Sequence, residues 1–288
     1  MIDFSRPYRV VKAGNFRFEV DTPDGIVVCV SRKKVKRSGD VLVGDLVYLE
    51  NADGELTIKA VEKRRNSLIR PAIANVDQIA LLISPVPEPD YFLVDKLILN
   101  CHAEKIECIL CVNKTDIKDL TEEVEKQYAH AVKTIVSVNA QSGDVKNLLP
   151  LLKDKITCFA GQSAVGKSSL CNALIGTNSF EVGELSEKIL RGKNTTTAAL
   201  LVRIAENSFI ADTPGFSMLD VFKVRADELD LYYDEYVSLS GKCKYHRCTH
   251  ISEPDCEVKR KVESGELSPL RYERYKTLLQ TLKNDKRY

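Results

Sequence analysis

The sequence lacks any uninterrupted apolar run of about 18 residues, although 44% of its 288 residues are hydrophobic. This absence argues against a transmembrane helix, because a helix needs about 20 apolar residues to cross a bilayer. The first residues, Met1–Arg6, also lack the basic and then apolar pattern of a secretory signal. We therefore expect a soluble, cytoplasmic protein whose nine cysteines are reduced, so that some can bind metal.

A large net charge is missing as well, because 42 Lys and Arg nearly balance 41 Asp and Glu. The charges are nonetheless unevenly distributed. Residues 1–70 hold 14 basic against 10 acidic side chains, residues 242–288 hold 12 against 7, and residues 71–241 hold 16 against 24. Two basic ends around an acidic centre favour contact between the ends and a polyanion. A solvated surface without a partner is the alternative.

The first 70 residues predict a small all-β domain, because short and often alternating apolar runs are separated by turn signals. Five strands in about 70 residues are typical of an OB-type barrel, whose loops often bind oligonucleotides. The basic segment Arg32–Arg37 is a candidate phosphate contact, with an exposed hairpin tip as the alternative. The predicted strands are Tyr8–Ala13, Phe16–Val20, Ile26–Ser31, Val41–Glu50 and Leu56–Glu62.

From about residue 71, apolar strands alternate with helical segments. This pattern predicts an α/β domain with a mostly parallel sheet and helices on both faces. A helix is expected over Phe92–Cys101. The predicted strands are Val76–Ile83, Ile106–Val112, Thr134–Val138 and Ile156–Ala160.

The last of these strands leads into a glycine loop and then an amphipathic helix, which is the context of a phosphate-binding P-loop. Glycines at 161 and 166 let successive backbone N–H groups face one anion at the helix start. We expect Lys167 to reach the β- and γ-phosphates and the Ser168 hydroxyl to bind magnesium. The candidate nucleotide-binding residues here are Gly161, Gln162, Ser163, Ala164, Val165, Gly166, Lys167, Ser168 and Ser169.

A guanine-reading segment is predicted at the end of the strand Ile106–Val112, where Asn113, Lys114 and Asp116 follow. Ligands of α/β sheets bind beyond the carboxyl ends of strands. A carboxylate there can accept hydrogen bonds from the N1–H and 2-amino groups of guanine, whereas adenine offers neither donor. Selectivity on the order of 10³-fold is therefore plausible. After the next strand, we expect the backbone N–H of Ala140 to contact guanine O6, with Asn139 where GTPases usually have Ser.

Two further segments are expected to approach the γ-phosphate and magnesium. Glu181–Thr197 lacks clear apolar periodicity and ends in Thr195, Thr196 and Thr197, of which spacing favours Thr196 as the magnesium ligand. A predicted hairpin, Ala198–Ile204 with Ser208–Ala211, runs into Asp212–Gly215. Asp212 would hold magnesium through water, and the Gly215 N–H would contact the γ-phosphate. The candidate catalytic residues are Lys167, Ser168, Thr196, Asp212 and Gly215.

The order of these segments differs from that of most GTPases, in which the P-loop precedes the guanine-reading loop. Here residues 113–116 and 139–143 come before the P-loop. The same sheet can form if the chain is circularly permuted. Residues after 216 are then covalently attached to the segment that senses the γ-phosphate.

Cysteine and histidine spacing predicts a metal site near the C-terminus. Three thiols and one imidazole within fourteen residues, in the pattern Cys243-x4-Cys248-x-His250-x5-Cys256, form a closed tetrahedral set typical of structural zinc. His246 is a competing ligand. Zinc would stabilise a segment too short to form a core of its own.

The permuted motif order, the preceding barrel and the Cys₃His segment together resemble the circularly permuted small ribosomal subunit biogenesis GTPases, over essentially the whole chain. The resemblance implies an OB domain (1–70), a GTPase domain (71–220) and a zinc domain (221–288), and it favours His250 over His246. It also implies GTP hydrolysis stimulated by the small subunit, with the flanking domains bound to ribosomal RNA. We expect GTP or GDP, Mg²⁺ and one Zn²⁺ as cofactors, and a monomer.

Three residues depart from common patterns. Asn194 stands where this family usually has His, Ala164 where it commonly has Gly, and Phe216 where many GTPases, unlike this family, keep a water-orienting Gln. We therefore expect slow intrinsic hydrolysis, with the missing group supplied or ordered by the ribosome. The alternative is an RNA-binding checkpoint that hydrolyses negligible GTP on its own. A GTPase of large-subunit assembly is disfavoured, because the barrel and the Cys₃His segment do not resemble that group.

Overall fold

The computed structural model describes residues 2–14, 16–31, 40–69, 71–177, 199–212 and 224–284. Backbone contacts divide the chain into two units. The first unit comprises Met1–Ile79, Gln141–Phe159 and Ser168–Met218, and the second comprises Ala80–Ala140, Ala160–Lys167 and Leu219–Tyr288. Among the described residues, no helix combines the length and apolar character needed to cross a bilayer.

The chain contains short strands in its N-terminal part, alternating strands and helices in its centre, and helices near its C-terminus. In chain order the strands are β1 (Tyr8–Ala13), β2 (Arg17–Thr22), β3 (Gly25–Ser31), β4 (Leu46–Ala52), β5 (Glu55–Val61), β6 (Ser67–Leu68), β7 (Ile73–Ala74), β8 (Gln78–Ile83), β9 (Glu107–Val112), β10 (Thr134–Ser137), β11 (Ile156–Gly161), β12 (Leu200–Ala205) and β13 (Ser208–Asp212). The helices are α1 (Tyr91–Ala103), α2 (Thr121–Tyr128), α3 (Leu149–Leu152), α4 (Lys167–Thr177), a 3₁₀ helix (Ala226–Tyr232), α5 (Asp234–Val237), α6 (Glu257–Glu263) and α7 (Pro269–Asn284).

Strands β1–β5 close into a barrel in the first unit. Strand β1 pairs with β2 and β4, β2 with β3, and β4 with β5, all antiparallel, and a parallel β3–β5 pair completes the ring. Val10, Val20, Val47 and Ile58 are fully buried inside it. The alternating apolar pattern therefore places one face of each strand in a shared core, and the predicted OB-like barrel is confirmed.

The fourth barrel strand begins later than predicted, at Leu46 rather than Val41. The chain turns at Gly44, which has φ +90° and would place a Cβ 2.1 Å from the Ala74 carbonyl oxygen. Next to it, the buried Asp45 carboxylate accepts a hydrogen bond from Arg64 Nε at 2.7 Å. Residues 41–45 therefore form a close connection to β7 and not a strand.

The remaining strands of the first unit extend from this barrel. Strand β11 pairs in parallel with β13, which pairs in antiparallel fashion with β12. The predicted hairpin of β12 and β13 is thus confirmed over its described residues. Lys12 of β1 pairs with Leu200 of β12, so the barrel and these strands share one hydrogen-bonded sheet. An ion pair between Arg203 and Asp21 lies across the same junction.

The second unit contains strands in the order β10-β9-β8, with parallel pairing between β9 and β10. All six residues of β8 and five of the six in β9 are buried, as expected for parallel strands covered on both faces. Helix α1 follows β8 and begins one residue before the predicted Phe92. Its N-terminus is capped by Asp90, whose Oδ1 accepts the Leu93 N–H at 2.9 Å.

The C-terminal helices of the second unit pack around tyrosine rings. Tyr233 and Tyr236 stack with ring centroids 4.9 Å apart, and Tyr275 of α7 meets both edge-on at 5.1 Å. All three rings are buried. Such pairs add specific geometry to the apolar area that they bury, and they fix α7 against the 3₁₀ helix and α5.

Candidate nucleotide-binding site and metal cluster

The predicted P-loop connects the buried strand β11 to α4, which begins at Lys167. Its two glycines are required by close packing as well as by backbone conformation. Gly161 has φ +132°, and a Cβ there would lie 2.5 Å from the Leu82 carbonyl oxygen of β8. Gly166 has φ +103°, and its Cβ would lie 2.3 Å from Asn113 Nδ2. A side chain at either position would therefore displace a neighbouring segment.

The side chains of Lys167 and Gln162 form hydrogen bonds that stabilise the curved backbone of this loop. Lys167 Nζ donates to the carbonyl oxygens of Gly161 at 2.8 Å and Gln162 at 2.7 Å. The Gln162 side chain is held in turn, because its Oε1 accepts the Asp90 backbone N–H at 3.2 Å. Ala164 has φ +63°, a left-handed conformation that costs an L-residue about 1 kcal/mol or more. Ser163, Ala164, Ser168 and Ser169 are exposed, whereas Val165 is buried.

The predicted guanine-reading segment lies against the P-loop in the second unit. Asn113 is 1% exposed, and its Nδ2 donates to the Val165 carbonyl oxygen at 2.9 Å. Its Oδ1 accepts the Ala140 N–H at 3.1 Å, and its own N–H donates to the Ile83 carbonyl at 2.8 Å. One buried amide thus joins the ends of β8 and β9, the P-loop and the segment after β10.

The other two residues of the segment point to different parts of the site. Lys114, at φ +59°, donates from Nζ to the carbonyl oxygens of Val86 at 2.6 Å and Ala164 at 2.8 Å. Asp116 is exposed, and its Oδ1 accepts a hydrogen bond from Asn139 Nδ2 at 2.9 Å. A fixed carboxylate and two ammonium groups therefore belong to one continuous set of loops, which suits a ligand with a donor-bearing base and an anionic tail.

Several predicted residues lie outside the part of the chain that the structure describes. These are the basic segment Arg32–Arg37, Asn194, Thr195, Thr196, Thr197, Gly215 and Phe216. Asp212 is described only as backbone, at the end of β13. It directly follows the Cys158–Ala211 pair, so its backbone lies level with Phe159, two residues before the glycine loop.

The predicted metal ligands form one compact cluster. Sulfur and nitrogen atoms of Cys243, Cys248, His250 and Cys256 all lie within 4.8 Å of one another. Cys243 Sγ is 3.7 Å from His250 Nδ1 and 4.0 Å from Cys256 Sγ, and His250 Nδ1 is 3.3 Å from Cys256 Sγ. Tetrahedral zinc with its usual bond lengths places ligand atoms about 3.5 to 3.8 Å apart. The four residues therefore fit a zinc ion, and the competing His246 is not part of the cluster.

Groups around the cluster prepare it to bind a cation. His250 Nε2 lies 4.0 Å from an Asp230 carboxylate oxygen, on the opposite side of the ring from the thiols. Burial lowers the pKa of His250, which favours the neutral imidazole that ligates metals. Burial would raise the pKa of Glu253, but hydrogen bonds donated by Thr249 and Ile251 lower it to about 2. This carboxylate stays ionised and holds the backbone of the ligand loop.

Comparison with known proteins identifies the family. The sequence model described as RsgA GTPase matches residues 61–222. The small ribosomal subunit biogenesis GTPase RsgA of Ruminiclostridium cellulolyticum is 37% identical over 88% of this chain and 85% of its own length. RsgA of Shouchella clausii is 36% identical over 96% and 98%. The chain belongs to the RsgA GTPase family.

Solved structures agree with this assignment. The crystal structure of YjeQ from Thermotoga maritima matches with a TM-score of 0.80 and 31% identity, covering 97% of this chain and 99% of that one. YloQ, described as a circularly permuted GTPase, matches with a TM-score of 0.77 and 29% identity over 98% and 97%. The predicted fold, a permuted P-loop GTPase domain between an OB-like barrel and a helical Cys₃His segment, is confirmed. As a member of the RsgA GTPase family, the chain is a GTPase.

Sequence reasoning missed several contacts that shape the site. The Gln162–Asp90 hydrogen bond, the Glu253 brace and the Asn139–Asp116 hydrogen bond each join residues whose pairing no local pattern indicates. A buried group of charged side chains, Asp95, Glu235, Arg271 and Arg274, was also missed. The available signal was the occurrence of charged residues on the apolar faces of α1 and α7.

Proposed function

We propose that this protein hydrolyses GTP during biogenesis of the small ribosomal subunit and binds ribosomal RNA through its barrel and its C-terminal segment. The observation that carries the proposal is the Asn113 side chain, which joins the guanine-reading segment to the P-loop by a 2.9 Å hydrogen bond to Val165. These segments are about 50 positions apart in sequence, and GTP binding needs both at one site. Relatives that share 36–37% identity bear the name small ribosomal subunit biogenesis GTPase.

Different residues of the site would bind the base, the phosphates and the magnesium ion. Asp116, held by Asn139, would accept the N1–H and 2-amino hydrogens of guanine. Lys114 contacts the P-loop, because its Nζ donates to the Ala164 carbonyl oxygen. The exposed start of α4 offers N–H groups and Lys167 to the phosphates. Magnesium, when bound, neutralises charge that develops on the β- and γ-phosphate oxygens. Ser168, Thr196 and Asp212 are the residues proposed to hold it, and the Gly215 N–H is proposed to contact the γ-phosphate.

The flanking regions supply binding and stability. One zinc ion held by Cys243, Cys248, His250 and Cys256 would have a structural role, because four protein ligands leave no position for a substrate. The net positive charge of residues 1–70 and 242–288 supports contact with an RNA backbone. We propose that the protein is a monomer. We also propose that it consists of three domains, residues 1–70, 71–220 and 221–288.

GTP turnover titrated with purified small ribosomal subunits tests this function. We expect slow hydrolysis by the protein alone and stimulation of at least tenfold by small subunits, with little effect of large subunits at equal concentration. Lys167→Ala should abolish turnover in both conditions, because the loop then lacks the ammonium group that compensates the phosphate charge. Lys118→Ala, which removes an exposed lysine beyond the guanine-reading segment, is the matched control and should retain turnover. Full activity of Lys167→Ala would contradict the P-loop assignment.

A second function, a checkpoint in which GTP is mainly a regulatory ligand, is kept open by Asn194, which stands where the family usually has His, and by Phe216, which stands where many GTPases have a water-orienting Gln. In that case GTP would increase affinity for small subunits, yet turnover would stay at the intrinsic rate when subunits are added. The same titration therefore separates the two functions.

A further inference from the structure

Asp95 in the middle of α1 is a buried carboxylate whose two oxygens are both bound by arginines of another helix. It is 1% exposed, and it accepts hydrogen bonds from Arg271 on one oxygen and from Arg274 on the other. The two guanidinium groups are one turn apart on α7, so a single side chain fixes the register of α7 against α1. Removing one partner of such a buried pair would leave an uncompensated charge in the interior, so α1 and α7 are held together at this contact.

Arg271 is the centre of the group. It is 2% exposed, donates from Nε to Glu235 Oε1 at 2.6 Å, and lies over the rings of Tyr128 and Tyr233 at 5.1 and 4.7 Å. Burial alone would lower its pKa, but Glu235 and Asp95 raise it well above the usual value. The two arginines and two carboxylates balance in charge. The group can therefore remain ionised in the interior while it joins α1, α5 and α7.

The N-terminal end of α1 contacts the P-loop. The Asp90 N–H, immediately before the helix, donates to Gln162 Oε1 at 3.2 Å. Asp95 lies five residues further on, about 7.5 Å along the helix axis. A second connection runs beside it, because Arg274 Nη2 donates to the Tyr128 hydroxyl at 3.2 Å and that hydroxyl donates to the Tyr91 carbonyl at 3.3 Å. A displacement of α7 would therefore displace the residues that hold Gln162.

An adjacent face of α7 contacts the Cys₃His loop. The Tyr272 hydroxyl donates to the carbonyl oxygen of His250 at 2.5 Å, and the Tyr275 hydroxyl donates to that of Thr249 at 2.8 Å. Both rings are buried. Helix α7 thus connects the metal-ligand loop to α1 through side chains that have little freedom to move.

We propose that Asp95, Arg271 and Arg274 are positioning residues that couple nucleotide binding at the P-loop to the order of α7 and the Cys₃His loop. This route is separate from the covalent connection through residues 213–223, and it rests on the proposed nucleotide-binding function. By linkage, the coupling acts equally in both directions. A nucleotide that orders Gln162 protects α7 from local opening, and a loosened α7 weakens nucleotide binding.

The test is hydrogen–deuterium exchange of the full-length protein with and without GDP, together with the GDP dissociation constant. The informative variant is Arg274→Met, because Arg274 is the less buried of the two arginines and Arg271 still pairs with Asp95. The matched control is Lys283→Met, which removes an exposed cation from the last turn of the same helix. We expect GDP to slow exchange in the P-loop and in α7 of the wild type and the control. In Arg274→Met, GDP should protect the P-loop alone, with affinity reduced about five- to tenfold. Arg274→Lys should recover part of this loss, because an ammonium group can still pair with Asp95.

Two results would overturn the coupling while leaving nucleotide binding intact. One is protection of the P-loop by GDP with no change in α7 of the wild type. The other is an equal loss of affinity in Arg274→Met and Lys283→Met, since that would reflect general loosening of the helix. Absence of any protection at the P-loop would instead contradict the proposed nucleotide site. If Arg274→Met fails to fold, Arg274→Gln replaces it in both measurements, and a wild type in which GDP leaves α7 unprotected still overturns the coupling.

Discussion

Among single residues, Asn113 makes the contacts that hold the candidate nucleotide site together. Its buried amide bonds the P-loop at Val165 and the segment after β10 at Ala140, and it fills the space that a side chain at position 166 would need. The segment predicted to read guanine therefore also has a structural role, because its Asn113 side chain joins two other loops of the site. Its hydrogen bonds fix the backbone from which the next side chains, those of Lys114 and Asp116, project.

Replacing Asp116 should change base selectivity. Asp116→Asn replaces the carboxylate oxygen that would accept the 2-amino hydrogen of guanine with an amide N–H donor, so GTP affinity should fall on the order of 10³-fold. Xanthosine triphosphate, which presents an acceptor on that side, should become the preferred ligand. Dissociation constants for both nucleotides provide the measurement. Asp119→Asn is the matched control, because the Asp119 carboxylate accepts the Thr121 N–H at the start of α2 and should leave selectivity unchanged.

A methyl group at position 166 should separate the two nucleotide loops. Gly166→Ala combines φ +103° with a contact of 2.3 Å to Asn113 Nδ2, so we expect a loss of about 1–3 kcal/mol in stability and much weaker GDP binding. Gly176→Ala is the control within α4, where no heavy atom lies within 4 Å of the added Cβ. It should raise stability by about 0.5–1 kcal/mol. Thermal unfolding and GDP titration of both variants would test this contrast, and equal behaviour would contradict it.

Among the elements, the Cys₃His loop brings together four side chains that fit one metal ion. His250, at φ +62°, presents its ring to three thiols, whereas His246 is exposed in the same segment. We expect His250→Ala to lose its zinc and the order of residues 243–256. His246→Ala should retain one zinc per chain. Elemental analysis and proteolysis of the two variants would compare them, and zinc retained by His250→Ala would remove this residue from the ligand set.

Elements with strong local signals could be predicted from the sequence, and those formed by distant contacts could not. The buried strands β8 and β9 and the P-loop lie where apolar runs and glycines indicated. Strand β4 starts five residues later than expected, because Gly44 and Asp45 are held by hydrogen bonds from Asn75 and Arg64, which come later in the chain. The 3₁₀ helix and α5 were not predicted, since they are short and since Tyr233 and Tyr236, which stack on each other, pack edge-on against Tyr275 from much later in the chain.

In the candidate site too, residues with a motif could be predicted from the sequence, whereas the distant contacts that hold them could not. Motif spacing predicted that Asn113, Lys114 and the glycine loop belong to one site, because phosphate and guanine recognition restricts residue type at each position, and the structure places these segments in contact. The contacts that hold these residues, such as Asp90 with Gln162 or Asp95 with Arg271, join positions 72 and 176 residues apart. Neither pair has a sequence pattern that distinguishes it from an ordinary surface charge or amide.

At the scale of the whole molecule, the uneven charge distribution predicts a salt-dependent interaction with ribosomal RNA. Each cation that contacts a phosphate releases counterions, so the logarithm of affinity falls with the logarithm of salt concentration. Changing Lys33, Lys34 and Lys36 to Gln should reduce the slope by about 2 to 3. Changing the exposed Lys118, Lys146 and Lys153 to Gln in the acidic centre is the control and should leave the slope unchanged. Binding to small subunits at several salt concentrations measures both slopes.

The pairing of β1 with β12 has a consequence for any attempt to shorten the chain. Lys12 and Leu200 are partners in the ladder, and Arg203 reaches Asp21 across the seam. A fragment that starts near residue 70 would leave the β12 edge without its β1 partner at Leu200, next to the apolar Leu201 and Val202. Such an edge can recruit a strand from another molecule. We therefore expect the N-terminal barrel to prevent the β12 edge of one molecule from pairing with a strand of another.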